Sequence, residues 1–170
     1  TQTFQVATIA RTLAQQTKAV DPESAITCAL IHNIGDLLIQ STLPAEAGLI
    51  NLAIEKGSSR VEAQREMLGY DYAQLGAELA KRWNLSASFV DAIAQQLDPL
   101  SHDPVSKEAV LIRLAVFVSF AWHAGVPAQT IITRFPKPLA DQLGLDPATL
   151  ADQLEQLHEQ GNALADLLTQ

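Results

Sequence analysis

The 170-residue chain is 48% hydrophobic and 18% charged, enough apolar material for one globular domain with its own core, which excludes disorder of the whole chain. Its 19 acidic residues against 11 basic ones leave a net charge of -8; with no cluster of Lys and Arg, a surface for nucleic acid or an anionic membrane is not expected. The single Cys28 leaves no disulfide framework and no cysteine zinc site, so a cytoplasmic location is the expectation. No apolar run reaches the roughly 18 residues of a membrane span, and no signal peptide opens the chain.

Phe4, Val6, Ile9 and Leu13 place an amphipathic helix at about Thr3 to Lys18. It starts at once, without a methionine, so the chain reads as a piece of a longer protein. Asp21-Pro22 is a cap followed by proline at the first helical position. The run from there to Leu43 predicts one buried helix, with Ile26, Leu30, Asn33 or Ile34, Leu37 and Leu38 on one face. Gly35, at about 1 kcal/mol of helix propensity, predicts that a neighbouring backbone comes close. Pro44 opens a helix that ends at Lys56-Gly57, and Ser59 with Glu62 has the capping-box form, starting a short helix that ends at Gly69. Asp71 caps the next helix, about Tyr72 to Trp83, where Ala73, Gly76, Ala77 and Ala80 form a small-residue ridge.

Ser86 is read as the cap of a helix through Phe89, Val90 and Ile93 to Leu97. A turn-rich loop, Asp98 to Pro104, precedes a helix with Val110, Leu114, Phe117 and Ala121 on one side, which ends before Gly125-Val126-Pro127. Pro127 starts a short helix, and Phe135-Pro136-Lys137-Pro138 and Gly144-Leu145-Asp146-Pro147 read as breakers. The last helix carries Leu150, Leu154, Leu157, Gly161, Leu164 and Leu168 in a heptad-like stripe. That stripe is read first as a cover for the domain's own core; the alternative is a partner helix or a homodimer through this C-terminal helix. No strand pattern or internal repeat is present, and the expected fold class is all-α.

Two stretches carry a resemblance. Ala29-Leu30-Ile31-His32-Asn33-Ile34-Gly35 resembles the helix of the HD phosphohydrolase superfamily whose His-Asp pair binds divalent metal, with His32-Asn33 in place of that pair. Glu66-Met67-Leu68-Gly69-Tyr70-Asp71-Tyr72, followed by the small-residue helix to Trp83, is similar to the corresponding segment of HDOD domains, the HD-related output domains of bacterial signalling proteins. The resemblance implies a multi-helix HD-like bundle over residues 1-125, with residues 126-170 a C-terminal helical extension packed on or appended to it.

A metal phosphohydrolase needs several convergent His and Asp ligands, because the ion must hold the phosphate and lower the pKa of the attacking water. By the resemblance, the first-helix histidine falls near Thr3, the paired aspartate on Asn33, a histidine pair of some relatives on Gln96 and Leu97, and the late aspartate on Val116. Of the ligands only His32 is kept. The expectation is therefore no catalytic residue, no metal and no cofactor, with His32, Asn33, Asp36 and Tyr72 as vestigial positions. His32 reads as a core histidine satisfied by Asn33 or a backbone group; a rearranged site of His32, Asn33 and Asp36 is the alternative. His102, His123 and His158 lack partners at helical ligand spacing. His123, beside Trp122, is expected to stack in the core and His158 to face solvent. Cys28 reads as a buried, inert thiol. There is no Gly-rich phosphate loop, and Ser58-Ser59 is a cap rather than a nucleophile.

The resemblance implies a non-catalytic signal-transduction domain acting on other signalling proteins or on fused regulatory domains. Asp98, His102, Phe135, Leu157 and Leu164 are its expected interaction surface. Two alternatives are a divergent HD-type phosphohydrolase and a nucleotide or cyclic-dinucleotide sensor with its pocket beside His32, Asn33 and Tyr72.

Overall fold

The computed structural model describes residues 2-169, and among them only helices, turns and loops occur. The chain runs α1 (Gln2-Ala14), α2 (Pro22-Ile31), α3 (Ile34-Thr42), α4 (Pro44-Glu55), α5 (Arg60-Leu68), α6 (Tyr72-Arg82), α7 (Ala87-Gln95), α8 (Lys107-His123), α9 (Ala128-Thr133), α10 (Lys137-Leu143) and α11 (Pro147-Leu168), with a short 3-10 turn at Pro99-Ser101. The all-α expectation holds.

The predicted long helix from Pro22 to Leu43 is broken. His32 and Asn33 form a turn between α2 and α3, and Asn33 leaves helical geometry at φ -109°, ψ 19°. The amide of Gln96 compensates, its Nε2 donating to the His32 carbonyl at 2.8 Å. The expected face is not the buried one: Ala25, Cys28, Ala29, His32, Gly35 and Ile39, at helical spacing through the turn, form the buried side instead. Leu30 and Leu37 are 39% and 56% exposed, while Cys28, Ala29, Gly35 and Ile39 are buried.

Local signals at the other ends work as hydrogen-bond chemistry requires. Asp21 accepts from the Ser24 amide at 3.1 Å, Ser59 accepts from the Glu62 amide at 3.1 Å, and Gly69 ends α5 at φ 82°. The reciprocal capping box closes one helix later than expected, between Asp71 and Gln74, where both bonds measure 2.9 Å. Ser86 precedes α7 without capping it through its side chain; its hydroxyl instead meets that of Ser88 at 3.1 Å.

The main core is built by α1, α2 and α8 around Ile9, Leu13, Ala29, Leu111 and Leu114. Ile131, Phe135, Leu143, Leu145, Leu150 and Leu154, from the segment after residue 125, belong to the same apolar cluster. Burying each such side chain contributes about 1.5-3 kcal/mol. A helix absent from the sequence reading, α10, lies between the two breakers, because Pro138 sits in its first turn, where proline is tolerated. Lys107 Nζ donates to Gln142 Oε1 at 2.8 Å, and the Thr17 hydroxyl donates to the Leu143 carbonyl at 2.7 Å, tying α10 to α8 and to the α1-α2 loop. No single helix among the described residues is long and apolar enough to cross a membrane.

Candidate functional site

The break between α2 and α3 is where the chain brings its chemistry-bearing residues together. It is held from α1, where Asn33 Nδ2 donates to the Thr3 hydroxyl at 3.3 Å. It is also held from the end of α7, where the buried Gln96 bridges the carbonyls of His32 and Ile93 at 2.8 and 3.0 Å. The residues aligned by resemblance with the first-helix and paired ligands, Thr3 and Asn33, are thus neighbours, and Gln96 reaches the same turn. Val116 lies away from polar groups, packed against the cluster of Cys28, Ala92 and Ile112.

His32 is buried and turns Nδ1 back to the Ala29 carbonyl of its own helix. Burial, only partly offset by that bond, pushes the imidazole pKa below its ordinary value and keeps the ring neutral. The side chain therefore takes a backbone partner, as expected of a satisfied core histidine. Cys28 is buried and its thiol is pushed up to about 12, first by burial and then by Glu108, so it holds its proton and is a poor nucleophile.

On the other side of α3, Asp36 faces α5. Its Oδ1 accepts from Gln64 Nε2 at 3.0 Å and lies 3.6 Å from the Arg60 guanidinium. Gln64 is fully buried, and its Oε1 accepts from the Tyr72 amide at 2.7 Å, so one side chain joins α3, α5 and the first turn of α6. Beside it the buried Asp71 takes both Arg65 Nε and an Arg65 terminal nitrogen, at 2.9 and 2.8 Å. Tyr72 packs on the small cluster of Ile39, Ala47, Ile50 and Ala63, and burial pushes its phenol above the ordinary value.

This junction depends on the closest backbone approach recorded for any glycine of the chain. A Cβ on Gly35 would lie 2.1 Å from the Tyr72 carbonyl oxygen and 2.8 Å from the Gly76 amide nitrogen, while one on Gly76 would meet Ile93 at 3.1 Å. The expected close contact at Gly35 and the small-residue ridge of α6 are thus two halves of one crossing.

Among the described residues, no group of three or more His, Cys, Asp or Glu side chains lies close enough to share a metal ion. At the positions that the resemblance aligns with HD ligands stand a hydroxyl (Thr3), an amide (Asn33), an imidazole engaged with a backbone carbonyl (His32) and a valine (Val116). Two surface hollows, of about 400 and 200 Å³, lie near the end of α8, lined by Phe120 and Ala124 among others, and neither borders His32.

The chain matches the family model of the HDOD domain over residues 1-99. It belongs to the HDOD family. Among solved structures, a candidate phosphohydrolase of Shewanella amazonensis SB2B aligns at TM-score 0.82 and 34% identity, over 94% of this chain and 59% of that one. An HDOD domain protein of Geobacter sulfurreducens aligns at 0.74 and 20%, over 93% and 59%. The response regulator MmoQ of Methylococcus capsulatus Bath aligns at 0.71 and 20%, over 90% and 59%. At 20% identity the last two establish the HDOD fold alone. The chain spans about three fifths of each of these structures. No curated protein sequence matches it.

The residues expected to form an interaction surface are not brought together as one patch of like exposure. Asp98 and His102 are exposed on the loop before α8 and Leu164 is exposed on α11. Leu157 is half-buried against the core. Phe135 is corrected: it is buried, its ring edge-on to Phe117 at 6.1 Å, because it joins the main core cluster where the segment after residue 125 packs on α8. The histidine expectations also exchange places. His123 is exposed, and it is His158 of α11 that stacks on Trp122, with ring centroids 4.8 Å apart and planes within 10°. Sequence reasoning missed Gln64 and named Gln96 only as a position aligned with a lost ligand, not as the bridge to His32, since an amide inside a helix has no periodic signature. It also missed the buried bond from the Ser119 hydroxyl to Gln5 Oε1 at 2.6 Å.

Proposed function

We propose that this HDOD chain is a non-catalytic regulatory domain of a bacterial signalling system, acting by contact with other signalling proteins or with regulatory domains joined to it. One observation carries the reading: at the positions where the resemblance places the HD metal ligands, this chain has Thr3, Asn33, Gln96 and Val116 in place of His and Asp. Asn33 Nδ2 is bonded to Thr3 while its Oδ1 is buried without a hydrogen-bond partner; Gln96 Nε2 is bonded to the His32 carbonyl, and Val116 packs against the cluster of Cys28, Ala92 and Ile112. Hydrolysis of a phosphate ester at such a site needs an ion that holds the phosphate and acidifies water, and a neutral His32 with its Nδ1 engaged offers one donor. The response-regulator description of the Methylococcus structure and its shared fold support the signalling part. In this reading a partner biases the packing of helices that meet at the α2-α3 break, and it docks on the Asp98 to Pro104 loop, which follows the Gln96 end of α7 and is exposed apart from Pro99.

Metal content by plasma mass spectrometry, on protein purified without chelator or nickel resin, is the test. Manganese, iron and zinc near zero are expected, and stoichiometric metal surviving dialysis overturns the reading. A second reading, a divergent phosphohydrolase, draws on the description of the Shewanella structure at 34% identity. It requires phosphatase or phosphodiesterase turnover that disappears in both His32→Ala and Asp36→Ala.

A further inference from the structure

The last helix does two different things along its length. Leu150, Ala151 and Leu154 are buried in the core, and Leu157 is half-buried beside them. From Glu159 to Thr169 every residue is exposed, with Leu164 at 59%, Leu167 at 69% and Leu168 at 80%. Yet the spacing of the stripe continues unchanged through Gly161, Leu164 and Leu168, at alternating four and three residues. A period of 3.5 keeps a seam on one side of a helix pair over several turns, whereas cover for a core needs no such strictness.

Charge placement indicates what meets that seam. With the leucines at the inner heptad positions, all four acidic residues of α11, Asp152, Glu155, Glu159 and Asp166, fall at outer positions. The positions that flank the free part of the seam hold Gln160, Ala165 and Leu167, and His158 on the remaining flank is taken up by Trp122 of the same chain. α11 has no Lys or Arg, so it offers an acidic or basic partner nothing to pair with at the seam. It is, however, free of like-charge contacts when it meets itself, although the chain carries a net charge of -8. Gly161 adds an independent sign. It weakens a helix interior, and a Cβ there would meet nothing within 4 Å, so no contact within the chain calls for it. A second helix crossing at this position would use the missing side chain for close approach.

We propose that the C-terminal half of α11 is a homodimer seam, in which Leu157, Gly161, Leu164 and Leu168 of two copies pack against one another. The free stretch is about three turns long, which is short of the roughly 800 Å² per partner of a standard stable interface, so the dimer is reversible and concentration-dependent. The inference does not depend on the absence of catalysis.

Sedimentation velocity of the whole chain through the micromolar range tests it. The mass is expected to rise from 18.3 kDa towards twice that value. Leu164→Glu is expected to hold the single-chain mass at every concentration with an unchanged circular dichroism spectrum and melting curve, since Leu164 is exposed. Gly161→Gln, which fills the gap left for close approach, is expected to weaken the dimer about tenfold or more. A wild-type chain that stays single into the millimolar range overturns the proposal and leaves the stripe to another protein. So does a Leu164→Glu or Gly161→Gln chain that dimerises as wild type.

Discussion

Gly35 and Gly161 both interrupt apolar helices, and they mark opposite situations. At Gly35 a single added carbon would sit inside the backbone of α6; at Gly161 it would sit in open space. The first glycine lies where α3 and α6 cross with their small residues in contact, beside the hydrogen bonds and ion pair of Gln64, Asp36, Asp71 and Arg65. The second lies on a helix whose leucines have left the core. The difference teaches that apolar periodicity states only that a face will be covered, and that the surrounding helices decide whether the chain covers it itself.

The largest expected effect follows from filling the tight crossing. Gly35→Ala should destabilise by about 3 kcal/mol or more, because the clash is with backbone and α3 must move away from α6; urea unfolding measures it, and a loss below about 1 kcal/mol contradicts the crossing described here. Gln64→Leu should cost about 2 kcal/mol, since it strands the Tyr72 amide and removes a donor from Asp36 in a buried site. Thermal melts of that variant, set beside an exposed helical control such as Gln129→Leu, separate this loss from a general effect of added leucine.

Acid should weaken the α2-α3 break. The folded-state pKa of His32 lies below the ordinary 6.5, so the unfolded chain takes up a proton that the folded chain refuses as pH falls through 6.5. This contribution is absent above that value, and stability drops below it by at most about 1.4 kcal/mol per pH unit. His32→Gln should flatten that part of the melting-temperature profile, and an unaltered slope in the variant assigns the acid sensitivity elsewhere.

At the other end, His158→Ala removes the stack on Trp122 and should cost about 1 kcal/mol, with a shift in tryptophan emission as the indole gains water. Replacing the exposed Trp83 by Phe in both chains leaves Trp122 as the one emitting indole. Gly161→Ala should act in the opposite direction to Gly35→Ala, stabilising the dilute chain by about 0.5 kcal/mol through helix propensity alone. Destabilisation there would show that the end of α11 is packed against its own domain after all.

Much of this molecule could be read along the chain. Helix ends marked by Asp21-Pro22, Ser59, Gly69 and Asp71 are local chemistry, satisfied within a few residues, and they stand where the sequence placed them. Gly35 with the ridge Ala73, Gly76, Ala77 and Ala80 announced a close crossing, and the His32 and Glu66-Trp83 stretches pointed to the HDOD family. Other features needed three dimensions. The turn at His32-Asn33 exists because Gln96 and Thr3, 64 and 30 residues away in the chain, supply the partners that its broken helix leaves without. Phe135 turns inward and His158 meets Trp122 for the same reason: both contacts join helices distant in sequence, and only the packing of α8, α9 and α11 brings the rings together. Sequence alone determined most of the helices, the caps at Asp21, Ser59 and Asp71 and the small-residue face, because those depend on neighbours within a turn or two. Tertiary structure decided which polar side chains hold the His32-Asn33 turn and where the leucines of α11 leave the core, because both depend on which surfaces remain once the helices have packed.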